Sequence, residues 1–255
     1  MSDAVTSERG GPPAAPFLRL VRIGKTYPGV TALADVDLEV ARGEVVGLIG
    51  ENGAGKSTLM KVLGGVVAPD SGHIEIDGTV HRALTVPQSL AAGIAFVHQE
   101  LNLFENLDVA ANIFIGREPR WGGPLHLIDR QLLYRRTRPL LERLKVDFDA
   151  RTPVATLSIA QRQMVEIAKA LSLDARLIIM DEPTSSLTVA ETERLLDVIA
   201  ELQAQGVAVI YITHRLNEVK DCADRVVCLR DGVVAGALAH DEIAHAAMIR
   251  LMIGR

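Results

Sequence analysis

The sequence predicts an α/β fold: a mainly parallel sheet flanked by helices, with an antiparallel β layer and an inserted helical lobe. Three observations carry this. Short runs apolar on successive residues, such as 45–49, mark strands buried on both faces. These runs alternate with helix-favouring stretches, the pattern of strand–helix–strand units. Hydrophobic residues make up 48% of the chain but aromatics only 4%, so the core is built from Ala, Val, Leu and Ile.

The elements follow in order. Residues 1–16 mix Ser, Gly, Pro and acidic residues, and they lack the basic-then-apolar pattern of a secretion signal. This segment is expected to be disordered, and 17–255 to form one domain. Residues 17–23 and 36–40 alternate as strands do. Residues 45–49 read as a doubly buried strand, followed by a glycine-rich loop and a helix-favouring stretch at 59–63. Residues 73–77 alternate and stop at Gly78, which suits a half-exposed strand of the antiparallel layer. Residues 94–97 form a further strand. The stretch 108–146 reads mostly as helix, with a Pro/Gly-rich break at 119–124. Strands are expected at 176–180, 207–212 and 225–229, with helices at 190–204 and 214–222 between them. The helical stretch between 94 and 176 is too long for a simple crossover, so a lobe is expected over about 101–172.

Composition excludes several function classes. The net charge is −5, which disfavours a nucleic-acid partner, because phosphate contacts need a basic surface. The two cysteines, Cys222 and Cys228, make no C-x-x-C and are too few for a disulfide framework. Small buried thiols in a reducing compartment are expected. No apolar run approaches the roughly 20 residues of a membrane-spanning helix. The expected location is therefore cytoplasmic, with any membrane role reached through a partner.

Gly50-Glu51-Asn52-Gly53-Ala54-Gly55-Lys56-Ser57-Thr58 fits G-x-x-x-x-G-K-[ST], the phosphate-binding loop of nucleotide hydrolases. Its place between a strand and a helix is the context the motif needs. Glycines let backbone N–H groups turn inward towards phosphate oxygens, and the helix that starts near Lys56 adds its positive end. Lys56 is expected to reach the terminal phosphates and the Ser57 hydroxyl to ligate Mg²⁺.

The apolar run 177–180 ends in Asp181 and Glu182. Ligands sit at strand C-termini in open α/β sheets. Asp181 suits the Mg²⁺ shell, and Glu182 is placed to polarise an attacking water. The run 207–213 ends at His214, which could hydrogen-bond a γ-phosphate; a structural histidine is the alternative. Gln99 follows a third strand, where an amide could bridge metal and water; an exposed loop glutamine is the alternative. Leu157-Ser158-Ile159-Ala160-Gln161 opens a helix that Ser158 can cap, and its N-terminus forms a second anion site. A single chain has no use for two γ-phosphate sites. A pair of domains does, if each nucleotide lies between one loop and the other domain's Ser158 segment.

The ordered set of Gly50 to Thr58, Gln99, Leu157 to Gln161, Asp181–Glu182 and His214 resembles the ATP-binding subunit of ABC transporters. The resemblance covers about 17–236 and implies a P-loop NTPase (RecA-like) core with ATP and Mg²⁺. Tyr27 falls where that family places an aromatic that stacks on adenine; packing beside Pro28 is the alternative. Two departures stand out. Ile159 and Ala160 replace the two glycines of Leu-Ser-Gly-Gly-Gln, and Thr188 ends a loop that usually ends in aspartate. With 163–171, both variants look like the subgroup that imports monosaccharides such as ribose, xylose and galactose. In that subgroup two ATP-binding domains are often fused, and this chain looks like the first half.

The resemblance implies an energy-coupling ATPase of a sugar importer at the cytoplasmic face of the membrane. Its implied partners are a second ATP-binding domain, permease subunits and, indirectly, a sugar-binding protein. A soluble ABC ATPase acting on nucleic acid or ribosomes is the alternative, but such proteins carry coiled coils, zinc modules or basic inserts that this sequence lacks. A GTPase or small-molecule kinase lacks support, because N-K-x-D is absent. His240 and His245 resemble a zinc pair in outline, but five residues place them about 140° apart on a helix. A solvated C-terminal helix is expected there. Arg135, Arg136 and Arg138 are expected on an exposed helix face.

Overall fold

The computed structural model describes residues 16–99 and 101–254. Residues 1–15, nearly all of the stretch expected to be disordered, lie outside the described residues. The chain opens with β1 (Leu18–Tyr27) and β2 (Val30–Val40), joined across Pro28 and Gly29, where Gly29 takes a φ of 80°. Then come β3 (Val45–Ile49), the glycine loop and α1 (Lys56–Leu63). β4 (Ser71–Ile76) and β5 (Thr79–His81) follow, then α2 (Val86–Ala91), capped by reciprocal bonds between Thr85 and Gln88. β6 (Ile94–Val97) leads to α3 (Val109–Ile113) and a hairpin of β7 (Arg120–Trp121) and β8 (Leu127–Ile128). α4 (Arg130–Arg143), capped by Asp129, and α5 (Ile159–Leu171) complete the helical stretch. The last third runs β9 (Leu177–Asp181), α6 (Val189–Ala204), β10 (Ala208–Ile212), α7 (Leu216–Cys222), β11 (Arg225–Arg230), β12 (Val233–Ala239) and α8 (His245–Ile253).

Six strands form the central sheet in the order β12-β11-β3-β10-β9-β6. All its pairs are parallel except β11 with the edge strand β12. The antiparallel layer has the order β2-β1-β4-β5. Burial on the central strands splits with period two. Val45, Ile178, Met180, Val209 and Tyr211 join the apolar cluster on one face. Val46, Leu48, Leu177, Ile179, Ala208 and Ile210 join the cluster on the other, against α1 and the antiparallel layer. Both faces being covered is the reason these strands read as unbroken apolar runs.

The helical stretch has no separate core. Val109, Ile113, Leu133, Leu141, Val165 and Ala168 belong to the cluster that also holds Val97, Val209 and Tyr211. The Pro/Gly-rich break expected at 119–124 falls on the β7–β8 hairpin, whose strands run over 120–121 and 127–128, and the helix expected over 108–146 is confined to α3 and α4. Arg135, Arg136 and Arg138 do lie exposed on α4. At the C-terminal end the expected helix starts later than His240. His240 sits in a 3₁₀ turn and donates from Nδ1 to the Ala223 carbonyl at 3.1 Å, while His245 opens α8. The two histidines therefore share no helix. Cys228 is buried and Cys222 half-buried, both as free thiols. Burial raises the Cys222 thiol to about 12, helped by Glu218, so it stays protonated. Among the described residues, no helix is long and apolar enough to cross a membrane.

Candidate functional site

The glycine loop leaves the C-terminal end of β3 between β11 and β10 and turns into α1. Gly55 caps α1 in the left-handed region at φ 106°, and no side chain bonds the free N–H groups of the first turn. Those donors are available to an anion. A side chain at Gly55 would bring its Cβ within 2.6 Å of the Ala32 carbonyl, so only glycine fits. Gly53, at φ 84°, faces the opposite situation: a Cβ there would meet nothing within 4 Å. The backbone is thus bare on its solvent side, which lets a polyphosphate approach closely. Asn52 and Ser57 are exposed, Ala54 is buried, and Thr58 is half-buried. The Ala54 carbonyl accepts from Gly232 N at 3.1 Å, and the Gly232 carbonyl from Ala34 N at 2.8 Å. These bonds tie the loop to the β11–β12 turn and to β2.

Lys56 Nζ donates to the carbonyls of Gly50 at 2.6 Å and Glu51 at 3.0 Å. Burial lowers its pKa, while Asp181 and Glu182 oppose that shift by attraction. Asp181 is raised, first by burial and then by its neighbour Glu182, with Lys56 and His98 pulling it back. A cation and two carboxylates are therefore coupled at one sheet edge.

Asp181 ends β9 and Glu182 follows it in the left-handed region at φ 46°. Glu182 N donates to the Ile212 carbonyl at 2.9 Å, so the carboxylate is tied to the end of β10. His214 lies two residues past β10, in the bend before α7 rather than in the helix itself. Its Nδ1 sits 3.2 Å from Glu182 Oε1. A proton on Nδ1 lets the ring donate to the carboxylate, and a contact with a γ-phosphate requires a second proton on Nε2. Gln99 lies exposed in the bend two residues past β6, the strand beside β9.

Ser57 and Asp181 line one cavity of about 370 Å³, together with His98. A hydroxyl and a carboxylate are hard-oxygen donors that suit Mg²⁺, with phosphate and water left to fill the remaining positions; Gln99 is not among the residues lining this cavity. The residues present thus fit the metal.

Ser158 caps α5 as expected. Its Oγ accepts from Gln161 N at 3.2 Å, and Gln161 Oε1 accepts from Ser158 N at 3.0 Å. Gln161 Nε2 donates to Asp147 at 3.1 Å, so this side chain is engaged within its own chain. Ser158 and Gln161 line a cavity of about 420 Å³ that contains no residue of the glycine loop. The structure therefore brings the loop, Asp181, Glu182 and His214 together and leaves the Ser158 segment apart from them. Ile159, 64% exposed, stands bare at the start of α5. Thr188 caps α6 with Glu191, which gives this threonine a local structural role. Tyr27 ends β1 at 38% exposure, with Lys25 Nζ 5.7 Å from its ring centroid. Its face is open enough to stack on a flat ligand.

Sequence reasoning missed two residues. His98 stacks on Phe96 with centroids 5.6 Å apart and acts on Asp181; its signal was adjacency to Gln99. Glu218 is a buried carboxylate on α7, and its only local signal was its spacing of four from His214.

Comparison with known proteins agrees with this fold. The family model described as ABC transporter matches residues 33–185. A putative ribose/galactose/methyl galactoside import ATP-binding protein of Pseudomonas syringae pv. syringae (strain B728a) is 48% identical over 248 residues. The match covers 96% of this chain and 47% of that protein. Ribose import ATP-binding protein RbsA 2 of Burkholderia cenocepacia (strain HI2424) is 48% identical over 243 residues, 94% of this chain and 47% of that one. The chain spans about half the length of the curated relatives it matches. Among solved structures, the ADP conformation of MJ1267, an ATP-binding cassette of an ABC transporter, superposes with a TM-score of 0.81 at 25% identity. It covers 95% of this chain and 100% of that one. A dimeric post-hydrolysis state of the cassette MJ0796, bound to ADP and Pi, gives 0.77 at 26% identity, over 88% of this chain and 98% of that one.

Proposed function

The chain belongs to the ABC transporter family, and from that membership we propose that it is the ATP-hydrolysing, energy-coupling unit of a monosaccharide importer. The observation that carries the proposal is the meeting at one sheet edge of the glycine loop, Asp181, Glu182 and His214, with Glu182 and His214 only 3.2 Å apart. The relatives named above are a ribose/galactose/methyl galactoside import protein and a ribose import protein, and the same sugar class is the cargo of this reading.

Each residue has a role in this reading. Gly50, Asn52, Gly53, Ala54, Gly55, Lys56 and Thr58 wrap the β- and γ-phosphates of ATP, with Lys56 giving up one of its loop carbonyls to meet them. Tyr27 stacks on adenine. Ser57, Gln99 and Asp181 would hold Mg²⁺, which neutralises phosphate charge when bound. Glu182 takes a proton from water as the water oxygen bonds to the γ-phosphorus and the bond to the bridging oxygen breaks, giving ADP and phosphate. His214 holds Glu182 in place and contacts the γ-phosphate.

The site is completed by a second ATP-binding domain, whose Ser158 and Gln161 segment closes over the nucleotide. The exposed Ile159 and the separation of Ser158 from the chain's own loop support this. Closing and reopening pass to permease subunits through the helical stretch and Gln99. The unit then sits peripherally at the cytoplasmic face of the membrane, a sugar-binding protein acts only indirectly, and nucleic acid has no part.

Glu182→Gln tests the reading. It should bind ATP normally and hydrolyse it at least ~100-fold more slowly, the usual size of general-base assistance. It should also accumulate a closed, ATP-bound pair, read by size-exclusion chromatography. Near-normal turnover removes Glu182 from the role of base.

A further inference from the structure

Below the Glu182–His214 pair lies a carboxylate that the hydrolytic reading does not use. Glu218 is only 7% exposed. Its Oε2 accepts hydrogen bonds from Thr184 Oγ1 at 2.8 Å and Tyr211 Oη at 2.8 Å, with Thr213 Oγ1 farther at 3.5 Å. Its Oε1 accepts from Arg215 Nη1 at 3.3 Å. A buried carboxylate is tolerated when it is this fully partnered. Burial and the Glu218 charge push the Tyr211 phenol far up, so that hydroxyl remains a donor.

The partners are not a random set. Thr184 lies two residues after Glu182, and Thr213 and Arg215 flank His214 on either side. Tyr211 stands on β10, the strand that delivers His214. One buried carboxylate thus grips the ends of both segments that carry the pair.

Glu182 needs such a grip. A non-glycine residue in the left-handed region persists when its surroundings over-determine it. Glu182 N is bonded to the Ile212 carbonyl, and Ser185 N to the Glu182 carbonyl at 3.2 Å. The Thr184–Glu218 bond is the side-chain tie that holds this turn against α7.

We propose that Glu218 is a positioning residue for hydrolysis: by clamping Thr184 to Tyr211 and the His214 segment, it sets the separation and orientation of Glu182 and His214. It touches neither nucleotide nor water in this role. The proposal rests on the reading of Glu182 as base given above. A misplacement of about 1 Å in a catalytic group costs on the order of 10²-fold in rate. Loss of the clamp should therefore act on turnover and leave nucleotide affinity alone, because the phosphate loop lies outside the network.

The experiment compares Glu218→Gln, Thr184→Val and Thr184→Ser, alone and with Glu182→Gln, in the full chain. ATP dissociation constants, kcat, KM and single-turnover rates are measured, with thermal midpoints as the control on folding. Glu218→Gln and Thr184→Val should lower kcat by about 10- to 100-fold with ATP affinity within about threefold of the parent. Thr184→Ser, which keeps the hydroxyl, should restore most of the rate. Thr184→Val breaks the clamp from its other end and carries the test if Glu218→Gln does not fold. In the Glu182→Gln background, Glu218→Gln should cost less than about threefold, because the group it positions is gone. An equal fold-loss in both backgrounds, or an unchanged kcat with Glu182→Gln slow, overturns the positioning role alone. A normal rate for Glu182→Gln by itself overturns the assignment of the base, and this proposal with it.

Discussion

Lys56→Ala should remove tight ATP binding, and the structure sets the size of the loss. An ammonium about 4 Å from a phosphate charge, at an effective permittivity near 20, gains about 4 kcal/mol. In the free chain the ammonium already bonds the Gly50 and Glu51 carbonyls at 2.6 and 3.0 Å. Giving up one such charge-assisted bond costs about 1.5 kcal/mol. About 2.5 kcal/mol remains, or roughly 70-fold in affinity. The substitution also leaves Asp181 and Glu182 facing the phosphates with no cation between them, so ~100-fold is the expected minimum. Alanine favours the first turn of α1, so the fold should survive. The assay is equilibrium titration of a fluorescent ATP analogue, with the thermal midpoint of the nucleotide-free chain as control. An affinity within about threefold of the parent, in a folded variant, would refute the placement of the phosphate site.

Tyr27→Ala should weaken ATP, ADP and GTP by similar factors, since stacking reads a flat aromatic face and is worth on the order of 1 kcal/mol; unchanged affinities would make Tyr27 a packing residue. Asp181→Asn should abolish the Mg²⁺ dependence of ATP binding, and yet the nucleotide-free chain should melt at an equal or higher temperature. The Asp181 carboxyl is raised by burial and by Glu182, so the folded chain keeps that proton to higher pH than the unfolded chain. Its contribution to stability is complete below the unfolded pKa and is lost as pH rises through the folded one. The gap between variant and parent should therefore be present at neutral pH and close below about pH 4. A variant that melts lower than the parent at pH 7 would show that the Lys56 attraction outweighs burial.

The central strands were legible nearly to the residue because both their faces are buried. Val45–Ile49 is bounded by a polar Glu44 and by Gly50, the first residue of the glycine loop. β12 was not legible: Val233–Ala239 is a half-exposed edge strand with Gly236 inside it, so its apolar pattern is weak. The β7–β8 hairpin was hidden for the opposite reason. Pro119, Gly122 and Gly123 announce a break, but two-residue strands leave no periodicity to read. At the site, Lys56, Ser57, Asp181, Glu182 and His214 stood in the glycine loop or at or just past a strand end, where chain position alone predicts convergence. Gln161 shows the limit of that reasoning, because its amide closes a capping box and bonds Asp147. Glu218 marks a harder limit. Its partners come from the turn after β9, from β10 and from the bend before α7, and only the folded chain brings them to one carboxylate.

In the proposed function one domain's glycine loop and another's Ser158 segment make a single ATPase site, and mixing two inactive variants is the decisive experiment. Ser158→Arg should bind ATP as the parent does and fail to hydrolyse it, since the bulky side chain blocks the closed interface. Lys56→Ala should fail because its own loop is empty. Mixed together, the two inactive chains can form one intact site, from Lys56 of the first and Ser158 of the second. Mixing should restore part of the activity, and turnover of the parent should rise faster than linearly with protein concentration. No rescue on mixing, together with strictly linear activity down to nanomolar protein, would mean that the site is complete within one chain and that no second domain closes it.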